Sequence, residues 1–586
     1  MFLHGYSNYM TYAYPAPQLD PLACGKARFP QSDIPYMTLI DTLDTLHVLE
    51  FDDLFIDAVI RLEALPDFDF DENVSVFETT IRTLGGLLSA HMLLTDNETI
   101  IEAFNQRHPE AKPFHYSNHL LDLARDLGDR LLKAFQPNGL AFGSVNLRLG
   151  VLWNETQISS LAGIGSCLLE FAALSSLTDD LKYIDTARRC MVRLYELRSP
   201  YDMVGKHLDI RKEKWTELSS CFGRNSDSYY EYLLKGYILL NDNQLYDMFM
   251  TLYYAIDVYN KVDHRMVVEL QDKVFWHEVS DYNKPETLVP FSYSLSAFWP
   301  GVQFLAGDYV GGKTTLMRFL YVWDYFGYIP EYFNIAAREA VHGGEELHCV
   351  LLSTLSYPLR PEVIESMMYH DTVFGTGEMV HWGKMILHQL NNTRTKCGWA
   401  SIKNIITGEV IGEMPSFMLS ETLKYLYLLY SNVFLRFFLH VGLAIPRTRM
   451  ALHHRRPSLQ HLPHPIQRTS PQRSSWLRPP HAVVHPRGQF ALRRIHRSAL
   501  GSSLLRLLRQ RFLSPGSLGR AAASLRLPAQ PLGVSQAARS ASMSRRAAAG
   551  AAAAPLGVRG PRVLHASPTS RDRTLPSSPT YTTNNS

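Results

Sequence analysis

The sequence predicts an all-α fold, an array of helical hairpins with small β-hairpins between them, followed by a disordered tail. Three observations predict it. Residues 1–430 alternate helix-like apolar blocks with short, turn-rich strands. Two such blocks and then a hairpin recur at roughly sixty-residue intervals, the mark of a repeated supersecondary unit. After Tyr430 the periodicity stops, and Ser, Pro, Ala, Arg, His and Leu dominate without a single Lys.

In chain order, apolar periodicity predicts helices over 3–13, 38–63, 74–95, 117–135, 159–177 and 181–197. It predicts further helices over 227–241, 244–260, 292–306, 313–326, 361–370, 376–390 and 416–430. Between pairs of these lie the hairpin-like pieces Gly139-Leu-Ala-Phe-Gly-Ser-Val-Asn-Leu, Gly205-Lys-His-Leu-Asp-Ile and Cys397-Gly-Trp-Ala-Ser-Ile-Lys. Helical hairpins stack as open solenoids or close into a toroid, and periodicity does not choose between them. The chain divides into a folded region, 1–430, and a low-complexity tail, 431–586, whose composition cannot build a core.

Charge divides at the same point. The 586 residues carry a formal net charge of +2, but the tail holds 24 of the 58 basic residues, all Arg, and one acid, Asp572. That leaves 34 basic against 55 acidic residues in 1–430, a net charge near −21. A body so acidic argues against nucleic acid as its partner. No run of ~18 uninterrupted apolar residues marks a transmembrane segment. The nearest stretch, Leu423 to Ile445, is broken by Lys424, Asn432, Arg436 and His440. Six cysteines (24, 167, 190, 221, 349, 397) contain no CxxC and no metal-ligand spacing, and allow one or two bridges. Asn73, Asn97, Asn154 and Asn391 begin N-x-S/T sequons, which act only in the secretory pathway.

Chemistry concentrates in Tyr357-Pro-Leu-Arg-Pro-Glu-Val-Ile-Glu-Ser366. Pro361 suits a first helical turn, and Glu362 and Glu365 then share one face, with Arg360 as counter-charge. Two carboxylates and a guanidinium at a helix mouth bind sugars or run acid–base chemistry. The plainer account is that acids complement a helix dipole. Glu78 recurs in Val76-Phe-Glu-Thr-Thr-Ile-Arg82, where it could simply pair with Arg82 at i,i+4. Asp227, after Ser226, could simply cap the helix it opens. A competing motif, Gly307-Asp-Tyr-Val-Gly-Gly-Lys-Thr314, fits the phosphate-binding loop G-x-x-x-x-G-K-[ST]. A helix ending at Gly307 precedes it rather than a buried parallel strand, so a turn between helices accounts for its glycines and nucleotide binding is the weaker alternative.

These segments, with Thr38-Leu-Ile-Asp-Thr-Leu-Asp-Thr45, Asp227-Ser-Tyr-Tyr-Glu-Tyr-Leu233 and Ser416-Phe-Met-Leu-Ser-Glu-Thr-Leu-Lys-Tyr425, resemble the class I α-mannosidases, glycoside hydrolase family 47. The resemblance is greatest to the endoplasmic-reticulum degradation-enhancing α-mannosidase-like branch, from Met1 to about Tyr430. It implies an (α/α)7 barrel with acids gathered at one end. It implies inverting hydrolysis of α1,2-linked mannose, with Glu362 as base and Glu78 as acid. Asp227 is an alternative acid or a stabiliser of oxocarbenium charge. Arg82, Glu331, Arg360, Glu365, Phe417 and Glu421 match positions that line the sugar pocket, Phe417 offering its ring to a pyranose face. Ser294 stands where glycan-processing members carry His, which favours the degradation-enhancing branch. The resemblance also pairs Cys24 with Cys397.

The implied cofactor is Ca²⁺, held in part by the Thr of a terminal Thr-Glu-Ala-His. No such motif follows Tyr430, so no calcium ligand is assigned. Residues 335–356 read as an insertion in the family pattern. The implied partners are high-mannose N-glycans on misfolded glycoproteins, and the resemblance admits an ER oxidoreductase. The implied compartment is the ER lumen, although no secretory signal precedes the first motif and the barrel is expected to be truncated at both ends. A non-catalytic mannose-binding factor without calcium is the alternative function.

Overall fold

The computed structural model describes residues 1–430 except 98, 218, 261–278, 285–286, 290, 335–338 and 341–354. The expected tail 431–586 and most of the expected insertion lie outside the described residues. Within them the hairpin array closes into a ring. Seven inner segments follow one another around it: Met37–Asp41 with Leu43–Val48, Thr79–Leu84 with Gly85–Asp96, Leu161–Gly165 with Leu168–Thr178, Asp227–Leu240, Ser294–Phe298 with Trp299–Ala306, Glu362–Phe374, and Met418–Thr422 with Leu423–Tyr430. Each packs on the next, and the last packs on the first. Between neighbours lies an outer helix: Asp52–Leu62, His119–Leu132, Lys182–Glu196, Asn243–Tyr259, Tyr309–Phe326 and Glu378–Asn391, with Phe2–Asn8 and Tyr9–Ala13 at the seam.

The inner segments are apolar because both their faces meet protein. Leu168–Thr178 buries seven of its residues, charged Glu170 among them. Leu161–Thr178 is long and apolar enough to cross a membrane, yet 72% of it is buried inside the fold, as in a core helix. The most membrane-like stretch of the described residues is therefore this one. Close approach adds its own demand at Gly86, where a Cβ would stand 2.4 Å from the Ile40 carbonyl oxygen.

Four predicted helices are interrupted or begin as strands. The 38–63 block becomes three pieces, interrupted at Thr42 and at Glu50, whose φ of 63° lies in the left-handed region. The first residues of the 74–95, 159–177 and 292–306 blocks are strands Asn73–Ser75, Ile158–Ser160 and Phe291–Tyr293. The short amphipathic helix Thr99–Arg107 is additional to the prediction. Two of the expected hairpins take part in long-range pairing. Ser144–Asn146 lies antiparallel to Asn73–Ser75, and His207–Asp209 to Ile158–Ser160. Three-residue strands form too few bonds to stand as isolated hairpins, so they pair with neighbouring repeats. Local hairpins form at two of the predicted places, Ser401–Asn404 with Glu409–Ile411 and His207–Asp209 with Lys214–Trp215. These strands lead into the N-terminal ends of inner segments and collar that end of the ring.

The seam is sealed by buried polar groups. Lys424 Nζ lies 2.9 Å from Asp44 Oδ2, the two residues 4% and 2% exposed. Thr45 Oγ1 donates to the Ser420 carbonyl at 3.1 Å, and Ser416 and Ser420 hydroxyls donate to Asp41 Oδ2 at 2.6 and 2.9 Å. Nearby, Cys24 and Cys397 form a disulfide across 373 positions, as the resemblance implies. Removing one partner of a buried ion pair strands the other charge, whereas replacing both with apolar groups is close to neutral. Lys424→Met is therefore expected to cost about 3–5 kcal/mol in thermal or denaturant unfolding. The Asp44→Leu/Lys424→Met double variant should regain most of that loss, and equal losses in both would contradict the assignment.

Candidate active site

Glu78, Asp227, Glu362 and Glu421 all sit at the N-terminal ends of inner segments, at the collared end of the ring. Ser75 caps the first of these by accepting the Glu78 N–H at 3.3 Å. The pattern Ser-x-x-Glu would let Glu78 fold back on its own cap. Its carboxylate goes to Arg82 instead, whose Nε and Nη2 lie 2.9 and 2.8 Å from Oε2. The i,i+4 pair expected of an ordinary helix is thus present, but it faces inward: Arg82 is 7% exposed. Its guanidinium lies between the rings of Phe29 and Phe417, 5.3 Å from each centroid, and reaches Asp41 at 3.8 Å. Phe417 therefore gives one aromatic contact to Arg82.

Asp227 opens its helix but does not act as the expected cap. Oδ1 accepts only the adjacent Ser228 N–H at 3.0 Å. Burial pushes its pKa up to about 7, with Glu231 pushing further and Arg360 pulling down. Glu362 follows Pro361 at the mouth of helix Glu362–Phe374. Burial pushes it up to about 8, Arg360 lowering it and Glu421 and Glu331 raising it. Burial also holds Glu365 at about 8, with Lys235 pulling down and Glu231 and Glu421 pushing up.

Arg360 binds Glu331 in a two-pronged pair, Nε to Oε1 at 2.6 Å and Nη2 to Oε2 at 2.8 Å. Ser294 Oγ donates to the same Oε1 at 2.7 Å. Burial alone would raise Glu331, but these donors outweigh it and hold its pKa below the usual value. The residue before Arg360, Leu359, is wholly buried with φ at 63°, a conformation costly for a branched side chain. Its carbonyl accepts from Thr422 Oγ1 at 2.7 Å, which helps fix the turn that aims Arg360.

The eight charged residues singled out by sequence thus join one electrostatic network. Arg82 feels Glu78, Asp41 and Glu421; Glu362 feels Arg360, Glu421 and Glu331; Arg360 feels Asp227. The ninth, Phe417, touches it through Arg82. Sequence reasoning missed Glu231, Lys235, Tyr369, Asp41 and Phe29. The first two were legible, since Asp227, Glu231 and Lys235 repeat every four positions on one helical face. Phe29 and Asp41 reach the site only through Arg82, which lies far from both in sequence.

Two π-helical stretches, Thr79–Leu84 and Met418–Thr422, lie next to Glu78 and around Glu421. Such turns recur at functional sites. Among the described residues, no three His, Cys, Asp or Glu side chains converge to hold a metal ion. The Gly307–Thr314 stretch is no phosphate cradle: the Asp308 carboxylate caps that helix, accepting from Gly311 N at 2.9 Å. Lys313 pairs with Glu378 at 2.7 Å.

A family model for glycosyl hydrolase family 47 matches residues 1–435. The chain is 38% identical to the human (Homo sapiens) ER degradation-enhancing alpha-mannosidase-like protein 2 over 433 residues, 73% of this chain and 69% of that protein. It is 36% identical to alpha-mannosidase I MNS5 of Arabidopsis thaliana, covering 74% and 73%. In structure it resembles alpha-1,2-mannosidase from Trichoderma reesei with a TM-score of 0.62 at 24% identity, over 74% of this chain and 92% of that one. That likeness is one of fold, a helical barrel. The chain belongs to glycosyl hydrolase family 47, among its ER degradation-enhancing α-mannosidase-like members.

Proposed function

We propose that this protein removes terminal α1,2-linked mannose from high-mannose N-glycans of misfolded glycoproteins in the ER lumen, by inversion. The observation that carries the reading is the single buried network in which two carboxyl groups, Asp227 and Glu362, titrate near neutrality. Inversion needs a carboxylate to activate water on one side of the sugar and a carboxylic acid to protonate the departing oxygen on the other. Glu362 is the base. For the acid, the family pattern nominates Glu78 first and Asp227 second. Asp227, at about 7, retains the proton an acid must give, whereas Glu78 Oε2 is bound by Arg82. We therefore favour Asp227 as proton donor and Glu78 as the anchor that orients Arg82. The Cys24–Cys397 bridge and the four exposed sequon asparagines suit an oxidising secretory compartment.

A second reading, mannose binding without turnover, is favoured by one observation. A Glu362 held at about 8 is mostly protonated at neutral pH and so mostly unavailable as a base. Release of mannose from a high-mannose glycan, followed by mass spectrometry with calcium present and after chelation, separates the two readings. Hydrolysis supports the enzyme, and glycan binding without release supports the lectin.

Three outcomes are expected of the enzyme. A substrate with a good leaving group, such as an aryl mannoside, needs no proton donor. Asp227→Asn should therefore lose disaccharide cleavage by about 10²–10⁴-fold while retaining aryl mannoside cleavage. Glu362→Gln should lose both, and an Asp227→Asn enzyme equally impaired on both substrates would return the acid role to Glu78. With an acid titrating at about 7 and a base at about 8, the reactive form is most populated between those values. Plots of kcat/KM against pH should accordingly peak between 7 and 8 rather than on a broad acidic plateau.

The third outcome concerns stability. A carboxyl raised from 4.5 to about 8 binds more protons folded than unfolded, so its contribution to stability falls as pH rises across that interval. Glu362→Gln removes this dependence. Its Tm should exceed that of the unsubstituted protein by about 2–4 °C at pH 8 and by little at pH 5. A Tm difference independent of pH would show that the carboxyl is not buried as described.

A further inference from the structure

One group in the cavity is assigned no part by the reaction. On helix Asp227–Leu240, Asp227, Glu231 and Lys235 stand at i, i+4 and i+8, facing Glu362, Glu365 and Tyr369 at i, i+3 and i+7 of helix Glu362–Phe374. Helix Trp299–Ala306 packs against both helices and stands between them in ring order. Lys235 crosses that separation. Its Nζ lies 2.6 Å from Glu231 Oε1, 3.7 Å from Glu365 Oε1 and 5.9 Å from the Tyr369 ring centroid. The three charged side chains are 18%, 17% and 14% exposed, so this is no solvated surface pair.

We propose that Lys235 is a positioning residue: its ammonium ties the helix carrying Asp227 to the helix carrying Glu362 and holds the Glu365 carboxyl group in place to meet a mannose hydroxyl. The proposal rests on the mannose-processing reading of this pocket. The charge balance argues for it. Glu365 faces two other carboxylates, Glu231 and Glu421, with Tyr369 beside it, and Lys235 is the cation acting on it. Burial alone would strip the proton from Lys235, but Glu231, Tyr369 and Glu365 outweigh it and keep the ammonium charged. An ammonium so held is a fixed counter-charge rather than a proton donor. A plain i,i+4 helix pair would account for the Glu231 contact but not for the reach to Glu365 on another element.

The test uses the full chain and reads kcat and KM against pH for mannose release. Lys235→Met leaves Glu231 and Glu365 without their shared cation, so Glu365 takes up a proton more readily. The acidic limb of the profile should move to higher pH by about one unit, and KM at pH 6.5 should rise about tenfold, more than kcat falls. Lys235→Arg should restore the limb, and Glu231→Gln, which removes a negative neighbour, should move it the opposite way. A pH-independent loss that simply follows a lowered Tm in Lys235→Met overturns the proposal. So does a Glu231→Gln profile shifted in the same direction as Lys235→Met. If the unsubstituted protein binds a mannose-like iminosugar but releases no mannose, the turnover reading fails. The Lys235 proposal is then judged by calorimetry of that iminosugar, where binding with an unaltered pH dependence in Lys235→Met overturns it.

Discussion

Carboxylates that repel one another are gathered in a buried space, and that repulsion is the constraint the rest of the structure answers. Glu362, Glu365, Glu421 and Glu331 stand close enough to act on one another, each only partly open to water. Left alone, like charges in such a place would take up protons or push the inner helices apart. Three cations offset part of this repulsion, each by a different geometry. Arg360 grips Glu331 with a planar fork, Arg82 is clamped between two aromatic rings, and Lys235 reaches between two helices. A guanidinium suits the first two positions because it pairs bidentately and stacks flat, which an ammonium does not.

Ring closure makes the gathering possible. Glu78, Asp227, Glu362 and Glu421 stand at the N-terminal ends of four inner segments, where the positive end of a helix dipole favours a carboxylate. The ring must then be locked at its seam, where a buried ion pair and buried hydroxyl bonds join the last inner segment to the first. Asp41 illustrates the economy of the arrangement. It accepts two serine hydroxyls from the last inner segment and lies 3.8 Å from Arg82, so closure and site geometry share one carboxylate. Loss of the seam would therefore loosen Arg82, and with it Glu78.

What was legible in the sequence was local. Pro361 with Glu362 and Glu365 marks a helix mouth by spacing alone, and the helix begins at Glu362. The outer helices follow their apolar stripes, as Lys182–Glu196 does within one residue of the predicted ends. What was not legible was long-range or a matter of backbone strain. Nothing near Ser144 says that it will pair with Ser75, and nothing near Leu359 announces a left-handed residue. The site followed the same rule. Motif residues converged as expected, while Phe29 entered through a contact that no sequence window contains. Lys235 shares a helical face with Asp227 and Glu231, but nothing local says that it reaches Glu365 on another helix.

The central claim is that this pocket sets an acid and a base on opposite sides of a sugar. Proton NMR of the mannose first released from an α1,2-linked substrate, recorded before mutarotation, tests it most directly. The account predicts the β-anomer, formed by single displacement with water activated by Glu362. Initial release of the α-anomer, or of no mannose at all, would contradict it.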